Sequence, residues 1–466
     1  MKLSRCLLLS IGWGVFALVV KPAVAEQPAA YVAGELRELN DNGAWSWFMD
    51  ERAIVHHGKL IVGSVRAVGN FDSGRKSADW GNVEVAVHDV EEGTTKRIVF
   101  DRNFEQDDHN APAFLALPDG RVLAVYSRHA VERKVFFRRS APNNPLEWGP
   151  IQAFETPGKD GPRVTGDNVT YSNLFRLSSG RIINFFRGPG YDPNYMVSDD
   201  DGQSWTYGGR LLRGRDGYGP YTKYAFDASS DTVHFVATED HPRQFDNSLY
   251  HGYVRDRLVY GTNRTELAPL AQGTETALRA WDFTPIFRGD TDNVAWMVDL
   301  ELGADKRPCV IFSVQKDGRG LPRGEGGFDH RYWFARWDGA AWQAHEIAYA
   351  GRRLYPREDD YTGLAAIDPQ DTNVIYISTD AHPQTGEPLV SSADGQRHRE
   401  LFRGTSGDGG ATWQWTPITA NSTVDNLRPI VPKWNDPRTA LLWLRGSYSA
   451  NHGEWTTAVV ALIQTY

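Results

Sequence analysis

The chain has 466 residues, a formal net charge of −9, 41% hydrophobic residues and 12% aromatic residues. An acidic protein binds nucleic acid and anionic membrane surfaces poorly, so we expect neither as a partner. Of the two cysteines, Cys6 lies in a predicted leader, so we expect Cys309 to stay unpaired and the fold to rest on burial rather than on a disulfide.

Residues 1–25 predict a secretory signal peptide. Lys2 and Arg5 precede the apolar run CLLLSIGWGVFALVV, and the small residues AVA come directly before Glu26. The run is too short for a membrane span, whereas this order of basic, apolar and small residues is typical of a cleaved signal. We therefore expect residues 26–466 to form a secreted or periplasmic protein, and we expect it to be a monomer.

A short motif recurs seven times in residues 26–466. It is a polar tight turn followed at once by a strand rich in β-branched and aromatic residues, as in LPDGR followed by VLAVYSRH. The turns are centred near residues 58, 119, 179, 230, 304, 371 and 436. Their mean spacing of about 63 residues suits one four-stranded blade with long loops. The sequence therefore predicts an all-β fold, with one seven-bladed β-propeller domain over residues 26–466.

Two segments share the pattern S-x-D-x-G-x-[ST]-W: SDDDGQSW at residues 198–205 and SGDGGATW at residues 406–413. The pattern resembles the Asp-box turn of sialidase-type propeller blades. Such a turn needs an Asp that accepts backbone N–H bonds and a Gly with a positive φ. The two copies favour the propeller and specify no activity. The terminal segments AYVAGELREL and TTAVVALIQ are predicted to close the ring by sharing a blade.

Polar residues flank three successive turns symmetrically. His109 and His129 lie ten residues before and ten residues after the turn at residue 119. Because residues equally far from a hairpin turn lie opposite each other, this pair should meet at the open end of its hairpin. The next two hairpins repeat the arrangement, and the open ends of inner hairpins gather around a propeller axis. The predicted cleft residues are His109, His129, Tyr171, Arg187, Tyr221, Lys223, His241 and Arg243.

These residue types suit β-elimination from a uronic acid sugar. The fork of an Arg side chain matches a carboxylate, and a cation there stabilises the negative charge that develops as the C5 proton leaves. A His or Tyr takes the C5 proton, and a Tyr or His protonates the departing O4. We expect the cationic neighbourhood to lower the tyrosine pKa. A hydrolytic glycosidase would instead need two carboxylates flanking the bond.

Several segments resemble the seven-bladed propeller lyases that cleave ulvan: DDHNAPAFLALPDGRVLAVYSRH, NVTYSNLFRLSSGRIINFFRG, YTKYAFDASSDTVHFVATEDHPR with SLYHGYV, and DHRYWFARWDG. The resemblance is to polysaccharide lyase family 25, followed by family 24. It implies that His109 and Tyr171 are the base and the acid, in an order that depends on the sugar. It further implies that Arg187 neutralises the uronate carboxylate and that His129 is a supporting or second catalytic histidine.

The resemblance also implies the ligand. The substrate is expected to be an anionic polymer of sulfated rhamnose with glucuronate or iduronate, and no cofactor is required for catalysis. Residues predicted to hold sulfate groups and sugar rings are Arg128, Tyr221, Lys223, His241, Arg243 and Tyr250.

A structural zinc site is a separate prediction. Asp299 and Cys309 lie five residues on either side of the turn at residue 304, and His330 begins the next strand. Asp, Cys and His side chains are suitable ligands for a closed zinc site. The alternative is a buried free thiol among ordinary strand residues, which is favoured because no closely spaced ligand pair supports the zinc.

Two other functions share parts of this pattern. A sialidase-like hydrolase would have the Asp boxes and would use arginines against a carboxylate, but the early Phe/Tyr-Arg-Ile-Pro signature is replaced here by SWFMDERAIVHHGK. A non-catalytic sugar-binding propeller would have aromatic and cationic residues at its rim but would not need the histidine pair.

Overall fold

A computed structural model describes residues 30–68, 78–129, 131–158, 168–215, 219–273, 275–318, 321–322, 324–450 and 452–465. The predicted signal peptide, residues 1–25, lies outside these ranges. Seven small antiparallel sheets form the blades of a β-propeller, which confirms the predicted fold class. Within the described ranges, none of the helices has the length and apolar character needed to cross a membrane.

Most blades consist of four strands, and the chain passes through them in order. Two strands precede the first blade, β1 (Tyr31–Val32) and β2 (Arg37–Asn40). Blade 1 contains β3 (Ala53–His56), β4 (Lys59–Val65), β5 (Val83–Asp89) and β6 (Thr95–Asp101). Blade 2 contains β7 (Ala113–Ala116), β8 (Val122–Tyr126), β9 (Lys134–Ala141), β10 (Asn144–Trp148) and β11 (Gln152–Glu155). Blade 3 contains β12 (Thr170–Arg176), β13 (Ile182–Arg187), β14 (Pro193–Ser198) and β15 (Thr206–Arg210).

The second half of the chain forms the other four blades. Blade 4 contains β16 (Thr222–Asp227), β17 (Thr232–Ala237), β18 (Leu249–Arg255), β19 (Leu258–Gly261), β20 (Glu266–Pro269) and β21 (Thr284–Phe287). Blade 5 contains β22 (Val294–Leu302), β23 (Pro308–Gln315), β24 (His330–Trp337) and β25 (Trp342–Gly351). Blade 6 contains β26 (Ala365–Ile367), β27 (Val374–Thr379), β28 (Glu400–Thr405) and β29 (Gln414–Pro417). The last strands are β30 (Thr419–Ala420), β31 (Asp425–Ile430), β32 (Thr439–Ala450) and β33 (Glu454–Gln464), and single 3-10 turns lie at Asp108–Asn110, Pro189–Tyr191 and Ala280–Asp282.

The seven predicted turns all join the two innermost strands of a blade. In blade 2, for example, the turn between β7 and β8 closes with a hydrogen bond from Gly120 N to Leu117 O of 3.1 Å. Gly120 has a φ of +79°, a region where other residues are strained. Such polar turns let two buried strands reverse direction, and where glycine is absent another polar residue takes the left-handed conformation, as Asp231 does in blade 4 with a φ of +49°. This is why the turn motif located every blade.

The ring is closed by pairing the two ends of the chain. β2 is the outermost strand of blade 7 and pairs with β33, which in turn pairs with β32 and β31. The register joins Arg37 to Ala461 and Glu38 to Val460. The prediction that the terminal segments share a blade is therefore confirmed.

The Asp boxes form the turns between the third and fourth strands of blades 3 and 6. In blade 3, Asp200 Oδ1 accepts hydrogen bonds from Gln203 N at 3.0 Å and Ser204 N at 2.9 Å, and Trp205 is buried below the turn. Since inner-hairpin turns and Asp-box turns end strands that run in the same direction, they share one end of the propeller. We call this the turn side, and the opposite end, where the inner hairpins open, the cleft side.

Residues 45–52 fill the axis between the two sides. Their backbone joins neighbouring inner strands, and their side chains reach the far blades. The contacts are Phe114 N to Glu51 O (2.9 Å), Leu174 N to Asp50 O (3.2 Å), Lys223 to Asp50, Trp47 to Trp296 (ring centroids 4.6 Å apart) and Arg428 to the carbonyl of Trp45. This axial plug closes the channel, so the cleft has a floor. A separate cavity of about 270 Å³ lies beyond it, lined in part by Glu51, Glu301 and Lys433.

Lys223 packs against the axial plug and does not line the cleft, so its predicted role in substrate binding is wrong. Its side chain is 1% exposed, and its Nζ bonds to Asp50 and lies 3.7 Å from Asp299 Oδ1. Lys223 follows Tyr221 by two residues, and the same face of strand β16 is buried at that depth. The strand carries the ammonium down from the rim into the axial core.

Candidate functional site

The open ends of the inner hairpins of blades 2, 3 and 4 meet above the axial plug. The structure brings together six of the eight residues that the sequence assigned to a cleft: His109, His129, Tyr171, Arg187, Tyr221 and His241. Their rings form a continuous series, with centroid separations of 3.7 Å for His109 and His129, 5.1 Å for His109 and Tyr171, and 6.2 Å for Tyr171 and Tyr221. Tyr221 and His241 are 5.5 Å apart.

The two histidines stack face to face on one shared carboxylate. Their rings are 7° from parallel. Asp107 accepts a hydrogen bond from each ring, with His109 Nδ1 2.7 Å from Oδ1 and His129 Nδ1 2.9 Å from Oδ2. Asp107 also caps the 3-10 turn Asp108–Asn110 by accepting the backbone N–H of His109. The same carboxylate therefore fixes the backbone that carries one histidine and the ring planes of both.

The pair carries one positive charge over a wide pH range. Burial alone would lower the pKa of His109, but Asp107 and Asp108 outweigh it and raise that pKa to about 9. Burial and the positive charge of His109 lower the pKa of His129 to about 4. His109 contacts two carboxylates and His129 only one, so the proton resides on His109. Near neutral pH the site thus presents an imidazolium beside a neutral imidazole.

Asp108 joins this pair to a buried network on the far wall. Its Oδ1 lies 2.8 Å from His109 Nδ1, and its Oδ2 accepts from Arg428 Nη1 at 2.7 Å and from the hydroxyl of Tyr448. Arg428 in turn bonds to Tyr355. Burial would raise the pKa of Asp108, but Arg428 and His109 outweigh it and lower the pKa to about 2. Asp108 stays ionised and holds positive charge on both of its neighbours.

Arg187 is a cation surrounded by tyrosines. Its guanidinium carbon lies 4.8 Å from the ring centroid of Tyr171, 5.6 Å from that of Tyr191 and 5.7 Å from that of Tyr221, and its Nη1 donates to Tyr221 Oη at 3.1 Å. Among the residues that the structure describes, no carboxylate lies within ion-pair distance of it, and its buried Nε lacks a hydrogen-bond partner. Burying a cation without a counter-ion is costly, so this arrangement favours an anionic ligand.

Tyr171 is held in an unusual backbone conformation next to Arg187. Its φ is +60°, in the left-handed region, which costs on the order of 1–3 kcal/mol for a residue other than glycine. Asn173 maintains it by donating to the Tyr171 carbonyl at 2.7 Å while accepting from Asp50 N at 2.9 Å. A bulge in β12 follows, so Thr170 rather than Tyr171 is the partner of Arg187 in the strand register.

The protonation of Tyr171 differs from the expectation. Burial raises its pKa well above 10, and Tyr221 adds to the effect, while Arg187 lowers it by less. The prediction that nearby cations bring the tyrosine pKa down is therefore wrong, because the ring is 7% exposed and the loss of hydration outweighs one guanidinium. Tyr171 is a neutral phenol at neutral pH, suited to donating a proton.

Aromatic residues from the axial plug and from blades 5 and 6 form the rest of the wall. Tyr361 lies 4.5 Å from Trp47 and 5.1 Å from Trp296 between ring centroids, and its hydroxyl is 3.4 Å from His241 Nε2. His241 is itself buried against Trp296 at 4.7 Å. His241 is thus part of an aromatic wall with little exposed surface.

Two of the predicted binding cations lie on the rim. Arg128 stacks over Phe104 at 4.8 Å with 37% of its side chain exposed. Arg243 is 18% exposed and pairs with Glu358. Tyr250 does not join them, because its ring is buried in the core of blades 3 and 4 and its hydroxyl donates to Glu239 at 2.8 Å. The prediction that Tyr250 holds a sugar ring is therefore wrong.

The predicted zinc ligands do not meet. The hairpin of β22 and β23 is centred at residue 305 rather than at 304, so Cys309 pairs with Glu301, while Asp299 pairs with Ile311 and accepts a hydrogen bond from Ile367 N. His330 pairs with Gln315, six residues along β23 from Cys309, or about 20 Å away. The prediction of a zinc site with these three ligands is therefore wrong, and Cys309 is a buried free thiol.

Within the described ranges, one group of His, Cys, Asp or Glu side chains has three ligand atoms close enough for a metal ion: Asp107, His109 and His129. Both oxygens of Asp107 already accept ring N–H groups. A metal ion would have to replace those protons, so the same atoms serve either a proton-sharing pair or a metal site.

Sequence reasoning missed the residues that control the histidines. Asp107 and Asp108 stand directly before His109 in QDDHN, and a carboxylate two residues from a predicted catalytic histidine is a signal that was available. His452 carried no such signal. It comes from the loop between β32 and β33 of blade 7, and its ring is 5.7 Å from that of His109 and 5.3 Å from that of His129.

Solved structures of polysaccharide lyases resemble this chain, whereas no curated protein matches its sequence. A structure of a polysaccharide lyase family 25 ulvan lyase has a TM-score of 0.61 and 14% identity, covering 90% of this chain and 96% of that one. A second structure, of an ulvan lyase of that family bound to -[GlcA(1-4)Rha3S]-, has a TM-score of 0.60 with the same identity and coverage. The polysaccharide lyase Uly1 has a TM-score of 0.55 and 11% identity, covering 96% and 95%. At these identities the likeness establishes the fold.

The sequence comparison goes further than the fold. Residues 75–350, which are more than half of the chain, match the family described as "BNR repeat-containing family member". They span part of blade 1 and the whole of blades 2, 3, 4 and 5, including every reactive side chain of the cleft except His452. The chain belongs to the BNR repeat-containing family.

Proposed function

We propose that this protein is a polysaccharide lyase that cleaves a uronate-containing polymer by β-elimination. The observation that carries the proposal is Arg187, a partly buried cation without a described carboxylate partner, next to a histidine pair that carries one positive charge. A uronate carboxylate is the anion that such a site needs, and its C5–H is the bond that a neighbouring base would break.

In the proposed reaction the carboxylate of the sugar binds the guanidinium of Arg187. The neutral ring of His129 takes the C5 proton at Nε2, because its Nδ1–H is committed to Asp107. The electrons of the C5–H bond pass into the carboxylate as an enolate, whose charge is stabilised by Arg187 and by the imidazolium of His109. The enolate then collapses to a C4–C5 double bond as the C4–O4 bond breaks.

Tyr171 is the proposed acid for the leaving oxygen. Its high pKa keeps the phenol protonated until O4 departs, and it lies between the histidine pair and Arg187. After the reaction His129 carries the abstracted proton and Tyr171 is a phenolate, so transfer of one proton through solvent restores both. This assignment gives the base role to His129, whereas the family resemblance gave it to His109 or Tyr171.

The proposed substrate is ulvan, the polymer of sulfated rhamnose with glucuronate or iduronate. Support comes from the shared fold with a lyase whose structure holds -[GlcA(1-4)Rha3S]-. Arg128 and Arg243 at the rim are the proposed contacts for sulfate, and Tyr221 for a sugar ring. We also propose that the protein is exported and acts as a monomer without a cofactor.

The direct test is to incubate the protein with ulvan and follow the ultraviolet absorbance of the unsaturated uronate that elimination creates. Rising absorbance supports the proposal. New reducing ends without absorbance would indicate hydrolysis, as a sialidase-like enzyme would give. The absence of both signals, with binding retained, would indicate a sugar-binding propeller and overturn the proposal.

Matched variants test the residue roles. Tyr171→Phe removes one buried hydroxyl and should reduce kcat by about 10²-fold or more, the usual contribution of a general acid. Tyr195→Phe removes a hydroxyl in the same blade that bonds to the carbonyl of Ala271, and it should leave kcat unchanged. Equal activity of the two variants would remove Tyr171 from the mechanism.

Arg187→Lys tests the carboxylate contact. A lysine keeps the charge but offers no fork of two parallel N–H groups, so KM should rise and kcat should fall with uronate substrates. Unchanged kinetics would refute the proposed contact.

A further inference from the structure

We propose that a cavity on the turn side, between blades 4 and 5, binds a segment of sulfated polysaccharide, as a second site that does no chemistry. The choice of ligand rests on the proposed function. The existence of a site for sulfated sugars rests on the side chains that line the cavity, which we call the turn-side cavity.

The turn-side cavity has a volume of about 610 Å³, within the range of ordinary small-ligand pockets. Its walls are the hairpin turns of two blades and the loop that follows β19. Strand β16 connects it to the cleft side, and the six residues of that strand span about 20 Å. It shares no lining residue with the cleft. The lining residues used below are Asp227, His234, Tyr253, Arg255, Arg264, Asp305, Lys306, Arg307 and Trp337.

Four cations surround the cavity in a protein whose net charge is negative. They are Arg255, Arg264, Lys306 and Arg307, and all are at least partly exposed. Arg255 and Lys306 have their nearest described carboxylates at 4.0 Å and 3.8 Å, the limit of an ion pair. Arg307 is closer to a carboxylate, with its Nε 3.6 Å from Asp305 Oδ2. Arg255 and Arg264 are therefore the cations most available to an external anion such as a sulfate ester.

The two acidic residues in the lining are occupied locally. Asp227 accepts hydrogen bonds from the hydroxyls of Ser229 and Ser230, which follow it in the same turn. Asp305 accepts from the backbone N–H of Arg307 at 3.1 Å. Both carboxylates shape their turns, so they compete only weakly with a ligand for the cations.

Two aromatic residues line the cavity: Tyr253, which is 6% exposed, and Trp337, which is partly exposed. Tyr253 stacks on Tyr260, with ring centroids 4.9 Å apart and planes 14° from parallel. The guanidinium carbon of Arg255 lies 5.8 Å from both rings. Trp337 contributes the facing wall from blade 5 and lies 5.9 Å from Trp342. Cations beside aromatic faces suit a ligand with both sulfate groups and pyranose rings.

A chain of buried hydrogen bonds presents an acceptor to the cavity. Trp342 Nε1 donates to Thr262 Oγ1 at 3.3 Å, and that hydroxyl donates to the carbonyl of His251. Thr262 Oγ1 then accepts from His251 Nδ1 at 2.8 Å, which leaves His251 Nε2 to accept from His234 Nδ1 at 3.2 Å. The network thereby assigns a lone pair to His234 Nε2.

His234 keeps that lone pair in neutral solution. Burial lowers its pKa to about 4, so the ring is uncharged and accepts a hydrogen bond rather than adding to the positive charge. A sugar hydroxyl is a suitable donor. The sugar–phosphate backbone of DNA has no donor to offer at this point, so the acceptor favours a saccharide over DNA.

A second site on the protein that binds the same polymer chain would raise the local concentration of substrate at the cleft. Binding two segments of one chain makes the second contact intramolecular, so the apparent affinity for polymer rises while that for short fragments does not. The expected signature is a lower KM for long chains with the same kcat.

The test uses the full chain with Arg255→Gln and Arg264→Gln combined. Affinity electrophoresis in gels containing dextran sulfate, ulvan, desulfated ulvan or duplex DNA measures retardation. The wild-type protein should be retarded by both sulfated polymers, and the variant should lose this affinity about tenfold. A matched control, Lys96→Gln with Arg102→Gln, removes two exposed cations from blade 1 and should bind as the wild type does.

Kinetics give the second readout. The Arg255/Arg264 variant should show an increased KM for polymeric ulvan, with unchanged kcat and unchanged kinetics on a tetrasaccharide. Unaltered retardation of the variant, equal retardation by desulfated ulvan, or equal retardation by DNA would each overturn the proposal. If ulvan is not cleaved but the loss of dextran sulfate binding is observed, the turn-side site stands and the proposed lyase activity fails.

Discussion

Asp107 is predicted to set the protonation of both histidines of the proposed catalytic pair, and Asp107→Asn is the substitution that isolates this role. The wild-type carboxylate offers two acceptor oxygens to two ring N–H groups. An asparagine of the same shape offers one oxygen and one NH₂ group. One ring must then present a lone pair at Nδ1 and carry its proton at Nε2 instead. That ring can no longer act as the neutral base or the imidazolium of the proposed mechanism.

The size of the effect follows from the pKa of His109. The value of about 9 lies about 2.5 pKa units above the ordinary 6.5, and each pKa unit corresponds to about 1.36 kcal/mol. The carboxylates therefore favour the imidazolium by about 3 kcal/mol beyond what is needed to offset the cost of burial. Asp107 supplies the largest favourable share, with Asp108 next. Its neutralisation should bring the pKa of His109 down to about 7–8. Loss of correct proton placement should also lower kcat/KM by about 10²–10⁴-fold.

The assay is the pH dependence of kcat/KM for ulvan, measured by the absorbance of the unsaturated uronate. The wild-type profile should decline above about pH 9 as His109 loses its proton, and the Asp107→Asn profile should decline one to two pH units earlier. Asp368→Asn, at a buried carboxylate in blade 6, is the matched control and should keep the wild-type limb. If Asp107→Asn retains its alkaline limb near pH 9, the shared-proton reasoning is wrong.

Four further predictions concern stability and metal ions. Because the folded pKa of His109 is raised, its contribution of about 3 kcal/mol should be complete below about pH 6.5 and lost as the pH rises through about 9, as urea unfolding at both ends would measure. Lys223→Met should destabilise the protein by about 3–5 kcal/mol because it leaves Asp50 without its buried partner, while the folded fraction keeps its activity. Burial raises the pKa of Glu301 to about 8, so wild-type stability should fall between about pH 4.5 and 8, and Glu301→Gln should remove an effect on the order of 5 kcal/mol. Cleavage should be insensitive to EDTA, whereas excess Zn²⁺ should inhibit by displacing the protons of the histidine pair; loss of activity in EDTA would contradict the proton-sharing assignment.

The sequence located the blades because turn chemistry is local. A tight turn such as LPDGR needs particular residues whatever surrounds it, so seven turns identified seven inner hairpins. The same symmetry brought His109 and His129 together, since their distance from the turn is independent of the rest of the fold. The method failed by one residue where the turn centre was misplaced: β22 and β23 are centred at residue 305, so Asp299 lies opposite Ile311 and the predicted contact with Cys309 is lost. It also failed where a bulge intervenes, because the bulge in β12 makes Thr170 rather than Tyr171 the strand partner of Arg187.

The second limit on prediction from the sequence was the depth of a residue along its strand, between the rim and the core. Lys223 lies two residues below Tyr221 on β16, and whether that level is rim or core depends on what fills the axis. The axial plug of residues 45–52 decides this, and it comes from a segment without a turn motif. Tyr250 failed for a related reason, because its strand lies between others of blade 4 and its ring faces the core. Tertiary contacts of this kind leave no local pattern.

Seven similar hairpins surround the axis, yet apart from His452 of blade 7 the reactive groups come from blades 2, 3 and 4, and the axial plug explains this asymmetry. Its aromatic residues Trp47 and Phe48 pack against Trp296, Tyr361 and Tyr221, and so fill the space in front of the later blades. On that side the cleft is bounded by rings and by the Arg428 network. On the other side His109, His129 and Arg187 keep partial exposure. In the proposed mechanism a substrate chain would therefore meet the histidine pair and Arg187 across one open arc of the rim, which would fix the direction from which the uronate carboxylate enters.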